Sequence, residues 1–160
     1  MRNLNLLDID NEVRELIQVS SDKLRAYAGI AVDILEVNEK TIRIHVEQKE
    51  LKNNYILNQK QLVSRAGALF TPLERKFKLY FVPVIYVPPL NQVTQEWINE
   101  RMQELGLSRN DIIKQVGIDK ATLSEMLSGE KALTKFHKAT FYYYFLTYEL
   151  NRDFREYQNE

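Results

Sequence analysis

The side chains of this chain that could do covalent or metal chemistry are few and scattered. Cysteine is absent, and the only histidines are His45 and His137. His45 alternates with Arg43 along a strand-like stretch and His137 lies between Lys135 and Lys138, and neither has a partner at metal-ligand spacing. The acid pairs Asp8 with Asp10 and Glu149 with Asp153 have the spacing of helix caps and helix-face charges rather than of a catalytic dyad. No Ser-His-Asp order, P-loop or dinucleotide-binding glycine pattern occurs. These residues predict a protein that is not an enzyme and has no resident cofactor or metal, and they turn attention to binding.

With 160 residues, 44% of them hydrophobic, the chain can bury one medium core or two small ones. The lack of cysteine excludes disulfides and thiolate sites and suits a cytoplasmic, reducing environment. The opening "MRNLNLLDIDNEV" has one arginine, no long apolar run and three acids by residue 12, so it resembles neither a secretory signal nor a transit peptide. No window reaches the roughly 18 consecutive apolar residues of a membrane helix. The 22 basic and 22 acidic residues cancel, which argues against an indiscriminate electrostatic grip on nucleic acid or lipid. Binding to DNA would have to use local charge.

Pro88 and Pro89 make the most visible seam, because neither permits helix before it or donates to a sheet ladder. They divide the chain into an α+β module over 1–90 and an all-helical domain over 91–160. In the module, Ile9, Val13, Leu16, Ile17, Ser20, Leu24 and Tyr27 recur at helical spacing, with Asp8 or Asp10 as cap and Ser20-Ser21-Asp22 as a point of interruption. "GIAVDILEV" and "TIRIHVEQ" form an expected hairpin turning at Asn38-Glu39-Lys40, with Ile42, Ile44 and Val46 on its covered face. Asn58 and Gln61 make a capping box for a second helix that runs to about Pro72. "KFKLYFVPVIYVP" is a last strand that Pro83 confines to an edge or a bulge. The order is α-β-β-α-β, with the last strand beside the hairpin through a helical crossover.

The second half predicts four helices. Thr94 caps the first, which carries Trp97, Ile98, Met102 and Leu105 and stops at Gly106. Ser108 caps the second, with Asp111 in its first turn and Ile112, Ile113 and Val116 inward. Gly117 supplies a tight turn, Asp119 caps the third helix, Leu123, Met126 and Leu127 face inward, and Gly129 closes it. Thr134 caps the fourth, "KFHKATFYYYFLTYEL". There Phe136, Ala139, Tyr143, Leu146 and Leu150 are expected to face the core, leaving Phe141, Tyr144, Phe145 and Tyr148 as a second surface.

The stretch "LGLSRNDIIKQVGIDKATLSEMLSGEKALT" resembles the helix-turn-helix of Cro and phage-repressor (XRE-like) regulators, within residues 95–150. The shared features are Gly106, the pair Ile112-Ile113, Gly117, the buried side Leu123 and Met126, and Gly129. The resemblance implies a sequence-specific transcriptional regulator, a repressor-like protein binding double-stranded DNA as a dimer. It places Arg109 near backbone or a base edge, Lys120, Ala121, Thr122, Ser124 and Glu125 on the outward face of the reading helix, and Lys131 and Lys135 near phosphates. Chemistry allows these roles: Lys120 can donate to guanine O6 and N7, Ala121 or the Thr122 methyl can touch thymine, and Glu125 can accept from cytosine N4. Between residues 107 and 138 six basic residues exceed four acidic ones, a small excess that predicts weak non-specific affinity. Two other readings remain open from the residues: a helix-turn-helix-like fold reused as a protein-interaction module, and single-stranded nucleic acid bound by the basic and tyrosine-bearing first half.

Overall fold

The structure is a computed structural model; it describes the backbone of residues 1–157 and side chains through residue 152. It is mixed α+β, with six α-helices and one three-stranded sheet among the described residues. The chain divides into two compact units, Met1–Val87 and Pro88–Glu160.

In the first unit α1 (Asn11–Ala28) leads into β1 (Ile30–Val37) and β2 (Thr41–Gln48), then α2 (Gln59–Phe70) and β3 (Lys78–Val84). Asp10 occupies the N-cap of α1 without a side-chain cap bond. The Arg14 guanidinium reaches back instead, donating to the Leu7 carbonyl at 2.9 Å and pinning the segment before the helix. Ser20-Ser21-Asp22 do not interrupt α1, because Ser21 is buried on its inner face. At the α1–β1 corner Gly29 has φ +66, and a Cβ there would overlap the Glu50 backbone carbonyl, so the corner requires glycine.

The sheet order is β1-β2-β3. β1 and β2 pair antiparallel with Ile34 opposite Ile44, and a bulge lies between Ile34 and Glu36. β2 and β3 pair parallel, Ile44 beside Phe81, with α2 as the crossover. The Asn58–Gln61 capping box forms with both bonds near 3 Å. α2 ends at Phe70, and Pro72 sits in a following 3-10 turn, since proline cannot donate to a continuing α-helix. Pro83 is accommodated because β3 is an edge strand. Val32, Ile34, Ile42, Ile44 and Val46 pack with Ile17, Leu62, Ala66 and Phe70 into one core.

Two residues of the α1 pattern depart from expectation. Leu16 is 57% exposed and Tyr27 77% exposed. The inner face is set by Ile17, Ser21, Leu24 and Ala28, and a residue next in sequence turns about 100° around the helix, so Leu16 and Tyr27 are carried outward.

The second unit comprises α3 (Gln95–Glu104), α4 (Arg109–Val116), α5 (Lys120–Ser128) and α6 (Lys135–Tyr157). Its core gathers Ile98, Met102, Leu105, Ile112, Leu123, Met126, Leu127, Phe141 and Phe145. The expected facing of α6 is overturned: Phe141 and Phe145 are buried, whereas Phe136 is 76% exposed and Tyr143 is also exposed. Aromatic residues on nearly every side leave the period undecided, and Trp97 of α3 decides it. Its ring stacks on Tyr142 at 6.2 Å and meets Phe145 edge-on at 5.6 Å. Among the described residues no helix is long and apolar enough to cross a membrane.

Candidate nucleic-acid interface

Two short helices joined through Gly117 build the candidate site. Neither is long enough to be stable alone, so each depends on its caps and on packing. α4 begins in a complete capping box: the Ser108 N–H and hydroxyl both donate to the Asp111 carboxylate, at 2.8 and 2.6 Å, while the Ser108 Oγ accepts from the Asp111 N–H. The Ser108 bonds hold the Asp111 carboxyl below the usual aspartate range. α4 ends at Gly117, whose φ of 75° reverses the chain and whose N–H donates to the Ile113 carbonyl at 3.1 Å.

α5 starts three residues later, at Lys120, with Asp119 as its N-cap. The Asp119 carboxylate accepts from the Thr122 N–H at 2.8 Å, so its charge is turned toward its own helix, and the Thr122 side chain together with that N–H holds its carboxyl below the usual aspartate range. Leu123, Met126 and Leu127 are buried, and α5 packs on both α3 and α4. Replacing the fully buried Ile112 or Met126 by alanine would cost about 2–5 kcal/mol and loosen this seating.

The opposite side of α5 is open. Lys120, Ala121, Ser124 and Glu125 are exposed, while Thr122 is half-buried at the edge of the face. Ser128 extends the same face by one turn and was not singled out from the sequence, although it lies four residues after Ser124; its hydroxyl donates to the Glu125 carbonyl at 3.2 Å. Arg109 is exposed at the start of α4, and Lys131 and Lys135 are exposed beyond Gly129 and at the start of α6. None of Arg109, Lys120, Lys131 or Lys135 takes part in an ion pair among the described residues. The Lys131 N–H donates to the Glu125 carbonyl at 2.9 Å, fixing the loop after α5 to its last turn.

α6 braces the pair. The Tyr144 hydroxyl donates to Gln115 Oε1 on α4 at 3.1 Å, and Arg101 of α3 bridges Glu104 at 2.6 Å and Glu149 of α6 at 2.8 Å. His137 is half-buried and completes a reciprocal cap: its Nδ1 accepts from the Thr134 N–H at 3.2 Å while the Thr134 hydroxyl accepts from the His137 N–H at 3.3 Å. This bond assigns the neutral-ring proton to Nε2. No protein-family model, curated protein or solved structure matches the chain.

Proposed function

We propose that the second unit is a helix-turn-helix DNA-binding domain of the phage-repressor type, and that the protein is a cytoplasmic, sequence-specific transcriptional regulator acting on duplex DNA as a dimer. In this reading α5 enters the major groove, α4 crosses behind it, and the 1–90 module governs assembly or senses a partner. The observation that carries the proposal is the outward face of α5: four exposed residues with donor, acceptor and methyl chemistry, held out by a helix pair whose turn, caps and core are each satisfied. Asp119 does not count against it, because its carboxylate is engaged in capping. Glu125 does oppose phosphate approach, and with zero net charge on the chain this favours selective over indiscriminate binding.

Selection of bound duplexes from a random pool by the intact protein at low salt tests the proposal. Enrichment of a motif with two half-sites about one DNA turn apart is the expected result. Recovery of an unenriched pool would remove this reading.

A further inference from the structure

The segment between β2 and α2, residues 49–58, has no strand ladder to hold it and is nonetheless anchored at both ends. The Gly29 carbonyl accepts from the Lys49 N–H at 2.9 Å and from the Glu50 N–H at 3.3 Å. At the far end the buried Gln48 amide binds the Tyr55 carbonyl and the Leu57 N–H. Between these anchors Asn54 takes a left-handed φ of 52°, a conformation that asparagine tolerates better than most residues with a side chain. The fixed segment, the end of α1 and the side of α2 border a cavity of about 290 Å³. That is near the lower end of the ~300–1,000 Å³ of small-molecule sites.

The cavity has a chemistry of its own. Lys52, Asn53, Tyr55 and Arg65 bring polar groups to it, Ala28 and Leu57 give it an apolar lining, and no acidic residue lines it. The Tyr55 ring is 61% exposed, and Asn53 and Arg65 are exposed as well, so the core does not account for these side chains. Among the described residues the Arg65 guanidinium has neither an ion pair nor a hydrogen bond. Lys52 is paired with Glu50. The Lys52 ammonium holds the Glu50 carboxyl below the usual glutamate range, and Arg25 adds to the effect, so Glu50 keeps a cationic neighbour when Lys52 turns to a ligand. A free guanidinium with an ammonium at the same cavity suits a phosphate monoester, which carries a charge of about −1.5 to −2 at neutral pH, better than a singly charged carboxylate. The exposed tyrosine ring offers its face to a second planar ring.

We infer that this cavity binds a small phosphate monoester carrying a planar ring, of the nucleoside monophosphate class. Arg65 and Lys52 take the phosphate, Tyr55 stacks on the ring, and the Asn53 amide supplies a donor and an acceptor for the ring's polar edge. The site gives the 1–90 module a ligand of its own and does not rest on α5 reading DNA.

Calorimetric titration of the full chain with each of the four ribonucleoside 5′-monophosphates tests the inference. At least one should bind saturably, and at least tenfold more tightly than its nucleoside, ribose 5-phosphate or inorganic phosphate. Arg65→Gln and Tyr55→Ala should each weaken that binding at least tenfold, Tyr55→Phe should keep it, and Arg75→Gln, which removes an exposed cation outside the cavity, should leave it unchanged. Far-UV circular dichroism checks that the fold is kept, as expected for exposed side chains. As a second measurement, the amide resonances of residues 53–57 and of Arg65 should move on titration while those of α5 stay in place. A short 5′-phosphorylated oligonucleotide that moves the same amides at lower concentration would name a strand end as the source of the monophosphate; a weaker effect would name the free nucleotide. Absence of saturable binding by all four, equal binding of ribose 5-phosphate, indifference to Arg65→Gln, or an equal loss in Arg75→Gln would overturn the inference, whatever the outcome with duplex DNA.

Discussion

The hydroxyl of Tyr144 donates to Gln115 Oε1 at 3.1 Å, so the long helix α6 holds α4 by a polar contact outside the buried core. Burial pushes the Tyr144 phenol above the ordinary tyrosine range, with the neighbouring Tyr148 and the Asp111 carboxylate adding to it. The fold thus prefers the protonated ring. Its contribution to stability is present below the ordinary tyrosine pKa near ~10 and is lost as pH rises through the higher folded value. Tyr144→Phe removes both the bond and this titration: we expect a loss of about 0.5–1.5 kcal/mol at neutral pH and a shallower decline above pH ~10. Urea unfolding of both proteins across that range measures it, and an unchanged alkaline limb would remove Tyr144 as its source.

The acid limb should belong in part to the caps. Asp111 and Asp119 are held low, by Ser108 and by the Thr122 bonds respectively, so the stability they lend is present above the ordinary aspartate pKa and lost as pH falls through their folded values. Asp119→Asn keeps an oxygen for the Thr122 N–H but cannot titrate. Its expected signature is near wild-type thermal stability at neutral pH with a smaller loss on acidification. Asp119→Ala should lose stability at both pH values, because the Thr122 N–H then has no cap. Equal acid sensitivity of wild type and Asp119→Asn would refute the assignment.

If α5 reads bases, its residues should separate by kind. Lys120→Ala should reduce discrimination at one base pair by about 1–3 kcal/mol, whereas Lys135→Ala should weaken all duplexes alike and reduce the salt-dependence slope by about 1. Glu125→Gln should raise affinity for every sequence by removing a like charge near phosphate. Titrations against the selected site and a scrambled duplex at several salt concentrations measure all three. Identical effects of the two lysine variants on both duplexes would contradict the division between base and backbone contact.

The elements that sequence reasoning located well are those fixed by local chemistry. Asn58 with Gln61, Ser108 with Asp111, and Asp119 each announce a helix start because a side-chain oxygen must meet an otherwise unpaired N–H, and all three do. The alternation of Ile42, Ile44 and Val46 located the covered face of β2 for the same reason: the strand period is strict. Facing was misjudged where apolar residues outnumber the positions a core can take. On α1 both Leu16 and Ile17 fit a stripe, and only packing against the sheet chose Ile17. On α6 the run of tyrosines and phenylalanines fits any face, and Trp97, far away in sequence, made the choice. The outward face of α5 was legible because its inward residues are unambiguous. The reciprocal cap of His137 was not, since histidine rarely fills that place.

Gln48 carries the last prediction. Its side chain is buried, its amide donates to the Tyr55 carbonyl at 2.8 Å, and its carbonyl oxygen accepts from the Leu57 N–H at 2.9 Å. One amide thereby ties the end of β2 to the irregular segment before α2, where no ladder can satisfy the Leu57 N–H. Gln48→Leu matches much of the volume but strands both backbone groups, at an expected cost of about 1–3 kcal/mol for each left without water. Gln48→Glu separates the polar roles. As a carboxylate it accepts from Leu57 but repels the Tyr55 carbonyl and leaves a buried charge, whereas the protonated acid donates to Tyr55 and accepts from Leu57 as glutamine does. Burial raises the pKa of the introduced carboxyl in the folded state, so this variant should gain stability relative to wild type as pH falls from 8 toward ~5. Denaturant unfolding of wild type, Gln48→Leu and Gln48→Glu at both pH values tests this. A pH-independent deficit for Gln48→Glu would show that protonation does not restore the bond to Tyr55 and would refute this division of roles.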